Sequence, residues 1–486
     1  MILSIRRSLA WMTLSQGSLL VMQFGASLII ARLLTPREMG VFAIAYAIVG
    51  LLSIIRALGL SNYIMRATEL NSAVLSAAFT INAAIAVFLA AMIVGLSTLG
   101  AAFLSEPGVQ RALLAMAVLP LISIFELLPA AGIERRGNFR AIALVNLTRT
   151  LLANALMLGL AYKGFSYMSL VYGQIGGTIM ATVAINIVGR RHVSFRLGFI
   201  GWRDIARYGL QMLAISGVTT AALRMSELLL GRILGLDMLG IYSRASGLNG
   251  LLWDNVHLII ARIVFVDFAE QRRQGKSLRA SYLRIMQMAT GMLWPAFAGL
   301  AIIAGPLVLT LYGETWVAAA LPLSLLSVSA MVAVSVTMTW EVFVVSQETA
   351  QQARIEFVRA GVGVGLFAGG CLISLAGAAA ARIADTAFAV MLYRGHLERM
   401  TDTRFSDYVP IYLEGALLTV LATAPALLIM AFYGWSPQAP VPVVLAAIVV
   451  GVIGWLIGLR VMRHPLCTEF TLILARLRPR PVIRTG

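Results

Sequence analysis

"RILGLDMLGIYSRASGLNGLL" occupies residues 232–252, and the chain has already written a version of it, "RLLTPREMGVFAIAYAIVGLL", over residues 32–52. The two stretches align without a gap at an offset of 200. Arg32 falls on Arg232, Leu34 on Leu234, Gly40 on Gly240 and Ala45 on Ala245, while Gly50, Leu51 and Leu52 fall on Gly250, Leu251 and Leu252. The match joins arginines, glycines and loop positions as well as aliphatic residues, so it reads as an internal repeat. What the repeat means depends on how often the chain crosses a membrane between its two copies.

Of the 486 residues, 60% are hydrophobic and 12% charged, with a mean hydropathy of +0.88. Water-soluble domains carry about 45–50% apolar and about 25% charged residues. Apolar stretches of the ~20 residues needed to cross a bilayer recur along the whole chain. The expected class is therefore an all-α polytopic membrane protein. The short alternating strands of a membrane β-barrel are absent from the pattern. Fourteen spans are expected, at about 9–34, 39–62, 73–96, 112–133, 140–162, 167–189, 209–234, 239–264, 285–311, 317–343, 357–375, 378–396, 410–433 and 441–461. The basic N-terminus leads into an apolar stretch too long for a signal sequence, and is read as a retained first span. Two cysteines, Cys371 and Cys467, imply no disulfide framework.

The net charge of +17 does not point to nucleic acid, because the excess is scattered through short loops. It sets the topology instead. With the N-terminus in the cytoplasm, 27 Lys and Arg fall on the inner side and three on the outer, Arg37, Arg111 and Lys163. By the positive-inside rule this puts both termini in the cytoplasm. Six spans separate the two copies of the repeat. Six is even, so both copies run the same way through the membrane, which predicts two parallel six-helix lobes related by an axis along the membrane normal. Residues 1–189 form the first lobe, 190–208 a cytoplasmic linker and 209–400 the second lobe. Residues 401–486 carry the C-terminal helix pair and a basic tail.

Four segments together resemble a known family: "ARLLTPREMGVFAIAYAIVGLLSIIRALGLSNYIMR" (31–66), "ERRGNFRAIALVN" (134–146), "LLLGRILGLDMLGIYSRASGL" (228–248) and "LYGETWVAAALPLSLLSV" (311–328). In order and spacing they are similar to the polysaccharide-transporter (Wzx-like) branch of the multidrug/oligosaccharidyl-lipid/polysaccharide flippase superfamily. The chain departs from that pattern in two places. Arg56 and Ala57 stand where members often have an acidic residue, and Glu227 stands where they often have Asp or Asn. The resemblance implies export of undecaprenyl-pyrophosphate-linked oligosaccharide repeat units across the bacterial inner membrane without ATP, for exopolysaccharide or O-antigen synthesis. It also implies membrane lipids as surroundings and a functional association with a polysaccharide polymerase and co-polymerase. Two other readings stand beside it. One is an ion-coupled multidrug antiporter of the same fold, which favours an acidic cavity. The other is a membrane-embedded polymerase or glycosyltransferase, which needs a larger external loop than the longest expected here, about 97–111.

Charged residues inside spans carry what chemistry the sequence offers. Each costs about 3 kcal/mol near the bilayer centre if lipid-exposed, so most must face a lumen or one another. Arginines within the spans, among them 32, 56, 149, 224, 232, 244, 262 and 382, outnumber the acids, among them Glu126, Glu227, Asp254, Glu341 and Asp385. A cationic lumen suits an anionic cargo. Arg149, Arg224, Arg56, Arg32 and Arg244 are the candidate substrate-binding residues. Arg149 stands mid-span with no acid within a turn of it, open either to an anion or to backbone carbonyls. Arg224 and Glu227 stand three apart, as do Arg382 and Asp385, and each pair is spaced to neutralise itself on one helix face. Asp254 and His257, three apart in "LWDNVH", are the candidate proton-coupling pair, with Glu227 as a third ion-coupling candidate. No phosphate-binding loop, metal-ligand cluster or nucleophile motif is present, so no cofactor, metal, catalytic residue or enzymatic activity is expected.

Overall fold

The structure is a computed structural model that describes residues 2–57, 64, 72–104, 106–189, 196–198 and 202–467. Side chains are described throughout these ranges except at 2–16, 18, 57, 73–74, 99–104, 139, 202–216 and 254–266. Among the described residues all regular structure is helical. Two compact units emerge, Met1–Ser243 and Arg244–Gly486.

The first unit opens with α1 (Ile2–Leu33) and α2 (Pro36–Ser53), followed by a 3-10 turn at Ile54–Ala57. The sequence starts α2 sharply. Thr35 Oγ1 accepts the Glu38 N–H at 3.3 Å, the Glu38 carboxylate accepts the Thr35 N–H at 2.7 Å, and Pro36 opens the first turn. After α3 (Ser72–Leu104), one crossing is built from pieces: α4 (Pro107–Met116), α5 (Val118–Ile122), a 3-10 turn at Ser123–Phe125 and α6 (Leu127–Arg135). Pro120 and Pro129 remove backbone donors from this stretch. The carbonyl of Ile124 and that of Phe125, which Pro129 leaves without its i+4 donor, accept side-chain N–H groups from Asn82 at 3.2 Å and Asn186 at 2.9 Å. Without such partners, open backbone at membrane depth costs several kcal/mol per group.

Next come α7 (Phe139–Tyr162) and α8 (Met168–Gly189), a tight hairpin. A Cβ on Gly173 would lie 2.8 Å from the Ala153 carbonyl, and one on Gly177 2.7 Å from the Ala153 Cβ. These two small residues, four apart, let the helices approach as they do in membrane bundles. The unit closes with α9 (Trp202–Ile233) and the first turns of α10 (Leu236–Arg273). Here the two copies of the repeat meet. A Cβ on Gly40 would lie 1.9 Å from the Leu236 carbonyl oxygen, and a Cβ on Gly240 1.9 Å from that of Pro36. Each copy's glycine thus receives the backbone of the other, at positions offset by the same 200 residues.

The second unit continues α10 and adds α11 (Arg279–Ile302), α12 (Ala304–Tyr312), a 3-10 segment at Glu314–Ala319, α13 (Ala320–Val334) and α14 (Thr339–Val345). Between α13 and α14 the chain breaks at Met338, whose φ of 60° is left-handed. Then follow α15 (Thr349–Ile373), α16 (Leu375–Thr401), α17 (Phe405–Phe432) and α18 (Val441–Val461). Phe268, Tyr282, Met286, Phe343, Tyr393 and Tyr408 form its main core. The C-terminal pair α17–α18 closes on glycine as well, for a Cβ on Gly451 would lie 2.0 Å from the Ala422 carbonyl oxygen.

Eleven helical segments among the described residues are long and apolar enough to cross a membrane. The long helices α1, α9 and α10 occupy the positions of the other three expected spans. The chain is a multi-pass membrane protein, with apolar side chains such as Phe88, Leu372 and Leu428 turned outward. One expectation needs correcting. The external loop anticipated at 97–111 is mostly helix, because nothing before Leu104 interrupts α3 and Pro107 restarts the chain as α4.

Candidate functional site

Asn138 caps α7 by accepting the Ala141 N–H at 3.3 Å, and from that start the helix runs unbroken past Arg149. Arg149 does not remain alone. Its Nη1 lies 3.7 Å from Glu126 Oε1, and its Nη2 donates to Thr178 Oγ1 on α8 at 3.4 Å. Thr178 can accept because its own hydroxyl proton goes to the Gln174 carbonyl at 2.8 Å. Glu126 sits where the broken crossing turns from 3-10 geometry into α6. Arg56, at the 3-10 turn after α2, interacts electrostatically with the same Glu126 and with Arg149. Arg149 contacts this carboxylate directly, while Arg56 feels it, and Arg149, through space.

This arrangement is loose. The Arg149 side chain is 36% exposed and Glu126 24%, and 3.7 Å is longer than a charge-assisted hydrogen bond at about 2.7–2.9 Å.

Arg224 is held differently. Its Nη1 contacts Glu227 Oε2 at 2.8 Å, the ion pair that the spacing predicts, and its guanidinium lies 4.9 Å from the centre of the Tyr46 ring. Gly50 makes the room, since a Cβ there would lie 2.7 Å from Arg224 Nε. The repeat's second glycine therefore admits a charged side chain of α9. Arg32 is exposed at the end of α1. Arg244 is 7% exposed in the second unit, with its guanidinium 5.5 Å from the Tyr312 ring and 5.4 Å from the Trp316 ring. Of the five candidate arginines, Arg149 and Arg56 lie within electrostatic range of each other. The side chains of Asp254 and His257, on α10, lie outside the described residues.

A second cluster was not anticipated from sequence. In the second unit Arg359 Nη1 lies 3.3 Å from Glu356 Oε1, and its Nε lies 3.6 Å from Asp385 Oδ1. Arg382 Nη1 reaches Asp385 at 3.7 Å, and the Tyr393 hydroxyl donates to Glu356 at 2.6 Å. A Cβ on Gly363 would lie 2.7 Å from Asp385 Oδ1, so this glycine admits the carboxylate. The Arg382–Asp385 pair was legible from its spacing. Glu356 and Arg359 stand at the edge of the span expected at 357–375 and were not singled out there, whereas α15 already starts at Thr349 and carries both in its interior. Among the described residues no group of three His, Cys, Asp or Glu side chains is placed to hold a metal.

Residues 29–321 match the family described as polysaccharide biosynthesis protein. The succinoglycan biosynthesis transport protein ExoT of Rhizobium meliloti (strain 1021) is 24% identical over 326 residues, 67% of this chain and 66% of that protein. The lipopolysaccharide biosynthesis protein WzxC of Escherichia coli (strain K12) is 22% identical over 295 residues, 59% of each chain. The matched stretch thus spans somewhat less than two thirds of each of these relatives. Among solved structures, the lipid II flippase MurJ in its inward closed conformation superposes with a TM-score of 0.72 at 11% identity, covering 94% of this chain and 99% of that one. A multidrug resistance MATE family transporter of the MOP superfamily, in an inward-facing conformation, superposes with a TM-score of 0.57 at 14% identity, covering 79% and 96%. At such identities the structural likeness speaks for the fold alone, and the fold is the one that the four sequence segments resemble. The family match covers more than half of the chain, which belongs to the polysaccharide biosynthesis protein family.

Proposed function

We propose that the protein is a flippase that carries a lipid-linked oligosaccharide, borne on undecaprenyl pyrophosphate, across the bacterial inner membrane. The observation that carries this reading is the Arg149 guanidinium, loosely paired with Glu126 within the membrane-crossing part of the first unit, with Arg56 in electrostatic range of both. A pyrophosphate must shed water to pass through the membrane, and bare charge in a low dielectric costs many kcal/mol. Two arginines beside a polar, interrupted helix offset that cost. The pyrophosphate carries more charge than one carboxylate and takes bidentate hydrogen bonds from each guanidinium. It therefore displaces Glu126, and the glutamate holds the arginines in place between cycles.

The names of ExoT as a transport protein and of MurJ as a flippase support this class of activity. The surplus of arginine speaks against a drug or cation antiporter. The cycle would be alternating access of two lobes, residues 1–189 and 209–400, joined through 190–208, with 401–486 outside the repeat and both termini in the cytoplasm. The reciprocal packing of Gly40 on Leu236 and Gly240 on Pro36 supports a local two-fold relation between the two copies. The test is polysaccharide export in cells. Arg149→Ala abolishes export with the protein still inserted, and Arg149→Lys restores part of it, since lysine keeps the charge and loses the fork. Normal export from stably expressed Arg149→Ala would overturn the reading.

A further inference from the structure

The second unit holds a cavity of about 400 Å³ beside the break between α13 and α14. Its lining includes Trp253, Trp340, Thr337, Gln352, Glu356 and Arg359. From this lining we infer that the cavity is a saccharide-binding subsite, which takes sugar residues of the cargo while its anionic group is held elsewhere. The inference rests on the flippase reading for the identity of the cargo, and on the chemistry of this cavity for everything else.

Charge decides against the obvious alternatives. The groups in and beside the cavity include the carboxylates of Glu341, Glu356 and Asp385 and the guanidiniums of Arg359 and Arg382. Three against two leaves one negative charge, so a phosphate or a carboxylated drug does not belong here. A small cation has no obvious seat either. Arg359 already occupies the gap between Glu356 and Asp385, at 3.3 and 3.6 Å. The site at Arg149 has the opposite balance, with two guanidiniums to one carboxylate.

What the cavity does offer is polar groups interleaved with broad rings. Trp340 is 56% exposed although it lies on a membrane-crossing segment, and it lines the cavity. An indole face accepts the apolar C–H surface of a pyranose ring, while its edge remains compatible with polar neighbours. Around it stand the Gln352 amide, the Thr337 hydroxyl and the Glu356 carboxylate, which can meet sugar hydroxyls. Pockets that orient small ligands combine apolar faces with a few placed polar groups in this way, in volumes of about 300–1,000 Å³. The space suits a short saccharide.

The experiment uses the full chain purified in detergent and two probes: the host's repeat-unit oligosaccharide, freed from its lipid carrier by mild acid, and inorganic pyrophosphate. Tryptophan fluorescence reports the first and calorimetry both. The oligosaccharide is expected to bind and to quench fluorescence. Gln352→Leu, which keeps shape and removes the amide, should weaken it about tenfold, and Trp340→Ala should abolish the quenching, with pyrophosphate binding unchanged in both. Gln352→Leu carries the test if Trp340→Ala fails to fold. Arg149→Ala should do the reverse, losing pyrophosphate and keeping the oligosaccharide. No binding of the oligosaccharide by the wild-type protein, or binding that neither variant alters, overturns the inference. So does a response to sodium or protons alone that Glu356→Gln removes, which makes the cavity a cation site. Loss of pyrophosphate binding by the wild-type chain, with oligosaccharide binding intact, would count against the anion site and leave this subsite standing.

Discussion

Among the described residues a crossing in each unit is broken, at 107–135 and at 314–345, and the two are mended in different ways. In residues 107–135 the carbonyls of Ile124 and Phe125 are met by asparagine side chains, Asn82 at 3.2 Å and Asn186 at 2.9 Å. In residues 314–345 the carbonyls of Ser335 and Thr337 are met by the hydroxyls of Tyr412 at 3.5 Å and Tyr282 at 3.4 Å. The first break stands beside a surplus of guanidinium, the second beside a surplus of carboxylate. Backbone can open inside a membrane only where neighbours satisfy it, so both breaks are built features.

The difference predicts that arginines at the two breaks fail in opposite ways. Arg359→Ala leaves Glu356 and Asp385 with only Arg382 and Tyr393 to compensate them, and removing one partner of a buried charge network costs about 3 kcal/mol. That variant should unfold earlier in detergent and accumulate poorly. Arg149→Ala strands one partly exposed carboxylate and should change stability by less than about 1 kcal/mol, while transport is lost. Equal destabilisation by the two would erase the distinction between the tight network of the second unit and the loose pair of the first.

A smaller effect separates the two repairs. Asn186→Leu leaves the Phe125 carbonyl without its short hydrogen bond, at a cost of about 1–3 kcal/mol. Tyr282→Phe removes a longer bond and keeps the buried ring, and should cost about 1 kcal/mol or less. Denaturation midpoints of the two variants measure this directly, and the reverse order would contradict the geometry described.

The smallest effect is a pH dependence at the end of α18. His464 is 1% exposed, accepts the Leu466 N–H through Nδ1 at 3.2 Å, and lies where Gly291 leaves room for its ring. Burial lowers its pKa below the ordinary 6.5, against the opposing pull of Glu414 and the Gln287 backbone. The folded chain therefore keeps this ring neutral where the unfolded chain would protonate it. Stability is unaffected above about pH 6.5 and falls as the pH drops from there toward the folded-state value. His464→Gln should flatten that acid limb of the thermal midpoint, and an identical limb in both proteins would remove His464 as its source.

Much of this was legible in the sequence, for identifiable reasons. Apolar length gave the class, arginine asymmetry the expected orientation, and the duplicated phrase the two glycines that now meet at Leu236 and Pro36. Spacing gave the Arg224–Glu227 and Arg382–Asp385 pairs, because residues three apart share a helix face. Arg149 and Glu126 are 23 residues apart on different helices, and periodicity has no access to such a meeting. The first break was not read from sequence, which gave one continuous span at 112–133 although Pro120 and Pro129 lie within it. The second turns on Met338, a non-glycine in left-handed geometry that no local residue announces.

The central claim is that Arg149 and Arg56 form an anion site which Glu126 occupies only until cargo arrives. Glu126→Gln tests it most directly, with pyrophosphate titrated calorimetrically into the purified full chain. The account predicts tighter binding, by about tenfold for each 1.4 kcal/mol of competition removed, and no binding when Arg149→Ala is added. If Glu126→Gln leaves pyrophosphate affinity unchanged or lower, the carboxylate does not compete with an anion, and the arginines serve the fold rather than the cargo.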